Sequence, residues 1–225
     1  MAAIASNRCV DVTISIRPAT PVDDEFLAWA ILTASRGHLT KGWFDIALAR
    51  SESFCLAYIR ELVLSEIQAF WNYSMFHVAE MNGTRVGALA AFKGGKPFQG
   101  VPAALRDASR TMGFSDVEHQ ELLARGEFIY SCIMDAEDSD VWTIEHGATL
   151  GGVRNRGVFD TLLSNACEVG RRAGARLAQG SFLIGNGTIG VAMANAGFEF
   201  AEDKRSPEFE AAMGAPGFRR VTRAI

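Results

Sequence analysis

No stretch of the 225-residue chain approaches the ~18–20 consecutive apolar residues of a membrane-spanning helix. Met1 to Val10 contain no sustained apolar core of signal-peptide length. Cysteine is sparse, and Cys9, Cys55, Cys132 and Cys167 lie 46, 77 and 35 residues apart. With no Cys-x-x-Cys and no Cys/His pair at ligand spacing, neither a disulfide framework nor a metal site is expected. A basic excess is also missing: 22 Lys and Arg against 26 Asp and Glu give a net charge of −4, which argues against a general nucleic-acid binder. Gly-x-x-x-x-Gly-Lys-Ser/Thr does not occur, which disfavours a P-loop. There is no internal repeat and no low-complexity tract. A reduced, cytoplasmic, soluble protein is the expectation.

The chain does carry the composition of a globular domain, 48% hydrophobic and 21% charged. Its length suffices for one large domain with a full core. Glycine, at 22 residues, exceeds the usual share of ~7%.

Val10 to Arg17 alternates apolar and polar residues, the period of a half-buried strand. Asp23 and Asp24 sit at the start of a helix that reaches Gly37, and a longer helical pattern covers Glu52 to Trp71. The β runs Met75–Met81 and Arg85–Phe92 meet at Asn82-Gly83, a strong hairpin signal because both residues readily take positive φ. Lys93 to about Gly126 reads as helical and irregular, and Phe128–Met134 as a strand. Val141–Leu150 is a strand, 158–173 a helix closed by Gly174, and Leu177–Ile184 a strand. A short helix over Thr188–Asn195 and strands over Phe198–Phe200 and Phe218–Ala224 complete a mixed α/β or α+β domain.

The informative stretch is Gly151, Gly152, Val153, Arg154, Asn155, Arg156, Gly157, set between a strand ending at Leu150 and a helix that opens with Val158 and Phe159. The first amides of a helix lack internal partners and stand at the positive end of its dipole, so such a turn can cradle phosphate. Glycine allows close approach, and the arginines can add charge-assisted hydrogen bonds. By itself the stretch reads equally well as a Gly-rich turn with two solvated arginines. Residues 151–190 hold five arginines against Asp160 and Glu168, a net of +3. Residues 115–145 hold nine acidic residues against Arg125, a net of −8. That division suits an enzyme joining a phosphate-bearing cofactor to a cationic substrate, or else two ordinary solvated faces.

At Arg154, Gly157 and Phe159 the sequence resembles the acetyl-CoA signature Arg/Gln-x-x-Gly-x-Gly/Ala of the GNAT superfamily of N-acetyltransferases. Asn186 followed by Gly197-Phe198 looks like that family's Asn-x-x-Ala…Tyr-x-x-x-Gly-Phe ending. The resemblance covers about residues 11–92 and 140–225. It implies a mostly antiparallel central sheet of about seven strands flanked by helices, in a single domain over 1–225 with a helical insertion at about 93–140. It further implies acetyl transfer from acetyl-CoA to a primary amine of a small molecule or peptide, with no metal, nucleic acid or membrane partner; the oligomeric state stays open, a homodimer included. The implied cofactor residues are Leu150, Gly151, Gly152, Arg154, Asn155, Arg156, Gly157, Val158, Phe159 and Asn186.

Three departures bear on mechanism: Phe159 replaces a small residue, Ile189 an alanine, and Met193 the tyrosine that in the family protonates the CoA thiolate. A thioether cannot donate a proton. Glu145, nine residues before Arg154, is expected to act as the base, on the same strand face as Thr143 and Thr149. It also reads as a strand carboxylate that faces solvent or binds the substrate cation. His146 is expected on the opposite face in a structural role. Tyr130 and Ser181 are the candidate hydroxyl donors, and His38, Trp43 and Trp71 candidate walls of an acceptor cleft. Met193 also motivates an alternative, a CoA-binding sensor or structural module without transfer. The run Asp135, Glu137, Asp138 and Asp140 hints at a cationic acceptor, and reads as well as a solvated loop.

Overall fold

Asn82 and Gly83 take φ of 53° and 77°, turning β2 (Phe76–Met81) back into β3 (Thr84–Lys93) as the hairpin signal requires. The computed structural model describes residues 13–133 and 140–225. Ahead of the hairpin lie β1 (Ile14–Pro18), α1 (Asp24–Arg36), α2 (Trp43–Leu48) and α3 (Glu52–Leu64). Between β3 and β4 (Val141–Thr149) come α4 (Lys96–Gln99), α5 (Val101–Thr111), α6 (Asp116–Gly126) and a 3₁₀ turn over Glu127–Ser131. The chain ends with α7 (Val158–Arg172), β5 (Leu177–Leu183), α8 (Gly187–Asn195), β6 (Glu199–Arg205), α9 (Pro207–Met213) and β7 (Gly217–Ala224).

These strands form one seven-stranded sheet in the order β1-β2-β3-β4-β5-β7-β6. Only β4 and β5 pair in parallel; the other neighbours are antiparallel. Each face carries its own core. On one face Leu27, Ile31, Tyr58, Ile59 and Leu62 of α1 and α3 cover Val78, Ala88, Ala90 and Phe92. On the other, Val158, Leu162, Leu163 and Ala166 of α7 cover Leu89, Ala91, Trp142 and Ile144. The 3.6-residue stripe along α7 is what buries its apolar side here.

Several sequence expectations are corrected. The helix expected to reach Trp71 ends at Leu64, because the Asn72 amide donates to the Val63 and Ser65 carbonyls at 3.3 and 2.7 Å and closes the last turn. The strand expected at Phe128–Met134 is a 3₁₀ turn as far as Ser131: Phe128 and Cys132, four apart, point inward while Tyr130 stands 61% exposed. Residues 10–12, Cys9, Met134, Asp135, Glu137 and Asp138 lie outside the described residues. Among those described, no helix is long and apolar enough to cross a membrane.

One turn residue sets a firm limit on the β6–β7 pair. Gly217 has φ of 147°, and a β-carbon there would stand 2.0 Å from the Lys204 carbonyl oxygen. Gly217→Ala is expected to cost about 3 kcal/mol, from backbone strain and displacement of β6. Urea unfolding of the variant against the parent checks this, and an unchanged midpoint would refute it.

Candidate active site

β4 does not keep a strand's alternation. Ala90 pairs with Glu145 and Ala88 with Ala148, so His146 and Gly147 together oppose Leu89 in a bulge. His146 takes φ of +47°, an uncommon conformation for a non-glycine residue. Glu145 and Ala148, three residues apart, therefore share the face covered by α1 and α3, and His146 turns to that face as well, against Phe70 and Trp71. This corrects two sequence expectations. His146 is not opposite Glu145, and Thr149, whose methyl lies against Gly87 beside Leu162, belongs to the α7 face; Thr143 does share the face of Glu145.

At the same level β4 parts from β5. The parallel ladder joins Val141–Ile144 to Leu177–Gly180 and goes no further. The strands diverge there around a cavity of about 1900 Å³. Ile144, Glu145 and Ser181 line the cleft between them, with Met193 buried and its Cε seated over Gly180. His38, Trp43, Phe70, Trp71 and Tyr130 wall the cavity from the helical elements. The acceptor-cleft candidates thus share the cavity with Glu145, although Trp43 also packs the core and donates from Nε1 to the Gly126 carbonyl at 3.0 Å.

The Gly-Arg turn forms the remaining wall through Arg154, Asn155, Gly157, Val158 and Phe159; Leu150, Gly151, Gly152 and Arg156 belong to the same turn but stand off the wall. Asn155 and Gly157 are both left-handed, at φ of 62° and 76°, which wraps the backbone ahead of the first amides of α7. Neither the Arg154 nor the Arg156 guanidinium has a hydrogen bond or ion pair among the described residues, so both side chains remain available to an anion. A β-carbon at Gly157 would meet nothing within 4 Å, so the turn is open where a ligand would approach. Phe159 is accommodated by the strand bulge: its Cε2 lies 2.7 Å from where a β-carbon of Gly147 would stand. A large residue on the helix is matched by a small one on the strand. Asn186, 8% exposed, lines the cavity but also caps α8, its Oδ1 accepting from the Ile189 amide at 3.4 Å.

The charges inside are few. Burial pushes the Glu145 carboxyl up to about 8. Burial pushes His146 down to about 4, so its imidazole is neutral at physiological pH. Of the described acidic residues of the −8 segment only Glu145 lines the cavity: on α6, Asp116, Glu118 and Glu121 face Arg106, Arg50 and Arg125. Likewise Arg171 and Arg172 pair with Glu168 at the far end of α7 from the phosphate turn. Among the described residues no group of three or more His, Cys, Asp or Glu could hold a metal.

No protein-family model matches the sequence, and no curated protein matches it. Solved structures do. An N-acetyltransferase from Staphylococcus aureus Mu50 superposes with a TM-score of 0.68 at 15% identity, over 93% of this chain and 100% of the other. An acetyltransferase of the GNAT family from the same organism gives 0.53 at 12%, over 94% and 99%. The polyamine N-acetyltransferase of Drosophila melanogaster, which forms N-acetylagmatine, gives 0.53 at 11%, over 95% and 100%. With its sheet order, its diverging parallel pair and these superpositions along nearly its whole length, the chain has the fold of the GNAT N-acetyltransferases.

Proposed function

We propose that this chain transfers an acetyl group from acetyl-CoA to the primary amine of a small molecule. One observation carries the reading: a Gly-Arg turn with free arginine side chains and a half-buried carboxyl lacking an ion pair open onto one cavity where β4 and β5 part. The turn amides before Val158, with Arg154, hold the pyrophosphate, and the cleft beside Ile144 and Ser181 takes the thioester arm. Glu145 takes a proton from the incoming ammonium, directly or through water. The amine nitrogen then attacks the thioester carbonyl carbon, the C–N bond forms, the C–S bond breaks, and CoA leaves as thiolate. Charge developing on the carbonyl oxygen meets a backbone N–H of β4, beyond the last residue that pairs with β5. Met193 cannot protonate the thiolate, so we assign that step to the Tyr130 hydroxyl at the cavity wall, and the second proton shed by the nitrogen as the amide forms restores that hydroxyl through water. The polyamine acetyltransferase among the structural neighbours supports a small amine as acceptor.

Calorimetric titration with CoA tests the first half of the reading. A saturable 1:1 isotherm, displaced by acetyl-CoA and insensitive to ATP or NAD, is expected. Absence of heat with CoA would refute it, and tight binding with no turnover on any amine would favour a CoA-binding module of the same fold.

A further inference from the structure

The bulge that carries Glu145 also fixes His146, a residue the mechanism above leaves unused. His146 Nε2 lies 3.2 Å from Trp71 Nε1. An indole N–H can only donate, so Nε2 is the acceptor and the ring proton of the neutral imidazole sits on Nδ1. Phe70 stacks on the same imidazole, centroids 5.4 Å apart and planes within 6°, which sets the ring plane. Trp71 is itself held by Phe70, Phe44 and Trp43 at 4.4, 5.4 and 6.1 Å. The lone pair a base would need is thereby occupied, which leaves the base role to Glu145. Nδ1–H has no hydrogen-bond partner among the described residues, and His146 forms part of the cavity wall.

We propose that the Nδ1–H of His146 selects the acceptor by donating to an oxygen that the amine carries two carbons from its nitrogen. This rests on the acetyl-transfer reading. Consecutive Cα atoms are ~3.8 Å apart, and both side chains face the same side of the sheet, so a molecule that offers its nitrogen to Glu145 presents its next few atoms to His146. A nitrogen and an oxygen on adjacent carbons span a comparable distance. The acceptor class is therefore vicinal: 1,2-amino alcohols and α-amino carbonyl compounds. Once an acceptor fills the cavity beside half-buried His146, an analogue in which a methyl replaces the oxygen leaves this donor unpaired, and sites built to hydrogen-bond a substrate oxygen reject such analogues.

Two isosteric pairs test this on the full chain: 1-amino-2-propanol against isobutylamine, and 2-amino-1-phenylethanol against 2-phenylpropylamine, each with saturating acetyl-CoA. In at least one pair the hydroxyl member is expected to show kcat/KM about 30-fold higher or more. His146→Asn, chosen because asparagine tolerates the left-handed backbone at this position, is expected to reduce that ratio below about threefold while leaving the pH profile set by Glu145 in place. Ring ¹⁵N spectra of the unsubstituted protein give a readout independent of turnover. They are expected to show His146 protonated on Nδ1 alone at pH 7, and a mixture of tautomers in Trp71→Phe. Equal kcat/KM within both pairs, a preference that survives in His146→Asn, or a proton on Nε2 would each overturn the assignment. If no amine of the set is acetylated although acetyl-CoA binds, the transfer reading itself fails; turnover without an oxygen preference removes only the role of His146.

Discussion

Glu145→Gln is expected to lower kcat/KM for amine acetylation by about 10²–10³-fold, the usual contribution of a positioned general base. The parent enzyme should gain activity as pH rises through about 8, where the buried carboxyl ionises, and the variant should lose that limb of the profile. Steady-state rates between pH 6 and 9.5 check both. An unchanged kcat/KM with an unchanged profile would remove Glu145 from the reaction. The same substitution should act on stability with the opposite sign. The carboxyl titrates near its ordinary 4.5 when unfolded and near 8 when folded, so the native state holds the extra proton. Its stabilising effect is complete below about pH 4.5, is lost as pH rises between those values, and leaves a buried charge above pH 8. Glutamine carries no such cost, so Glu145→Gln should be more stable than the parent at pH 8.5 by about 2 kcal/mol, with little difference at pH 4.5. A half-buried carboxyl that weakens the fold in the pH range where it works is the pattern of a site held for chemistry.

Arg154→Glu is expected to raise the Kd for acetyl-CoA about 100-fold. Loss of a charge-assisted hydrogen bond to phosphate accounts for roughly 1.5–3 kcal/mol, and the new carboxylate adds repulsion. Arg156 belongs to the same turn but stands off the cavity wall, so Arg156→Glu should change Kd by only about threefold, and less in high salt. Titration calorimetry on both variants decides the matter. Equal effects would mean that the turn attracts CoA through its overall charge and not through the side chain that faces the cavity. At saturating acetyl-CoA, kcat of Arg154→Glu should stay within a few-fold of the parent, because this arginine binds the cosubstrate far from the reacting atoms.

The elements legible in the sequence are those whose determinants are local. Asn82-Gly83, the apolar stripe from Val158 to Val169 and the strand over Leu177–Leu183 each carry their own signal within a few residues, and the structure has them where that signal lies. The helices α2 and α9, of six and seven residues, have too few turns to show a period. The end of α3 depends on Asn72, eight residues beyond Leu64, and no pattern inside the helix marks it. At the candidate site, the phosphate turn is legible because glycine and arginine at that spacing carry a mechanism of their own. The bulge is not, because it exists only where two residues of β4 meet the single Leu89 of β3. Simple alternation therefore separates Glu145 from His146, although the two stand together, and it gives no hint that Trp71 would set the imidazole's tautomer. The placement of the segment charges is hidden for a related reason. Counted along the chain they form one acidic run, but in the fold Asp116, Glu118 and Glu121 face arginines of α5, α6 and the turn after α2, and Glu145 alone of the described ones lines the cavity.

The central claim, that the cavity between β4 and β5 transfers acetyl to an amine, is met most directly by following acetyl-CoA labelled with ¹⁴C in its acetyl group in the presence of a broad panel of primary amines. Label appearing in an amide, matched mole for mole by free CoA thiol and abolished together with that thiol when the amine is omitted, is the expected result. Label that stays on CoA with every amine, while CoA binding is saturable, would contradict it.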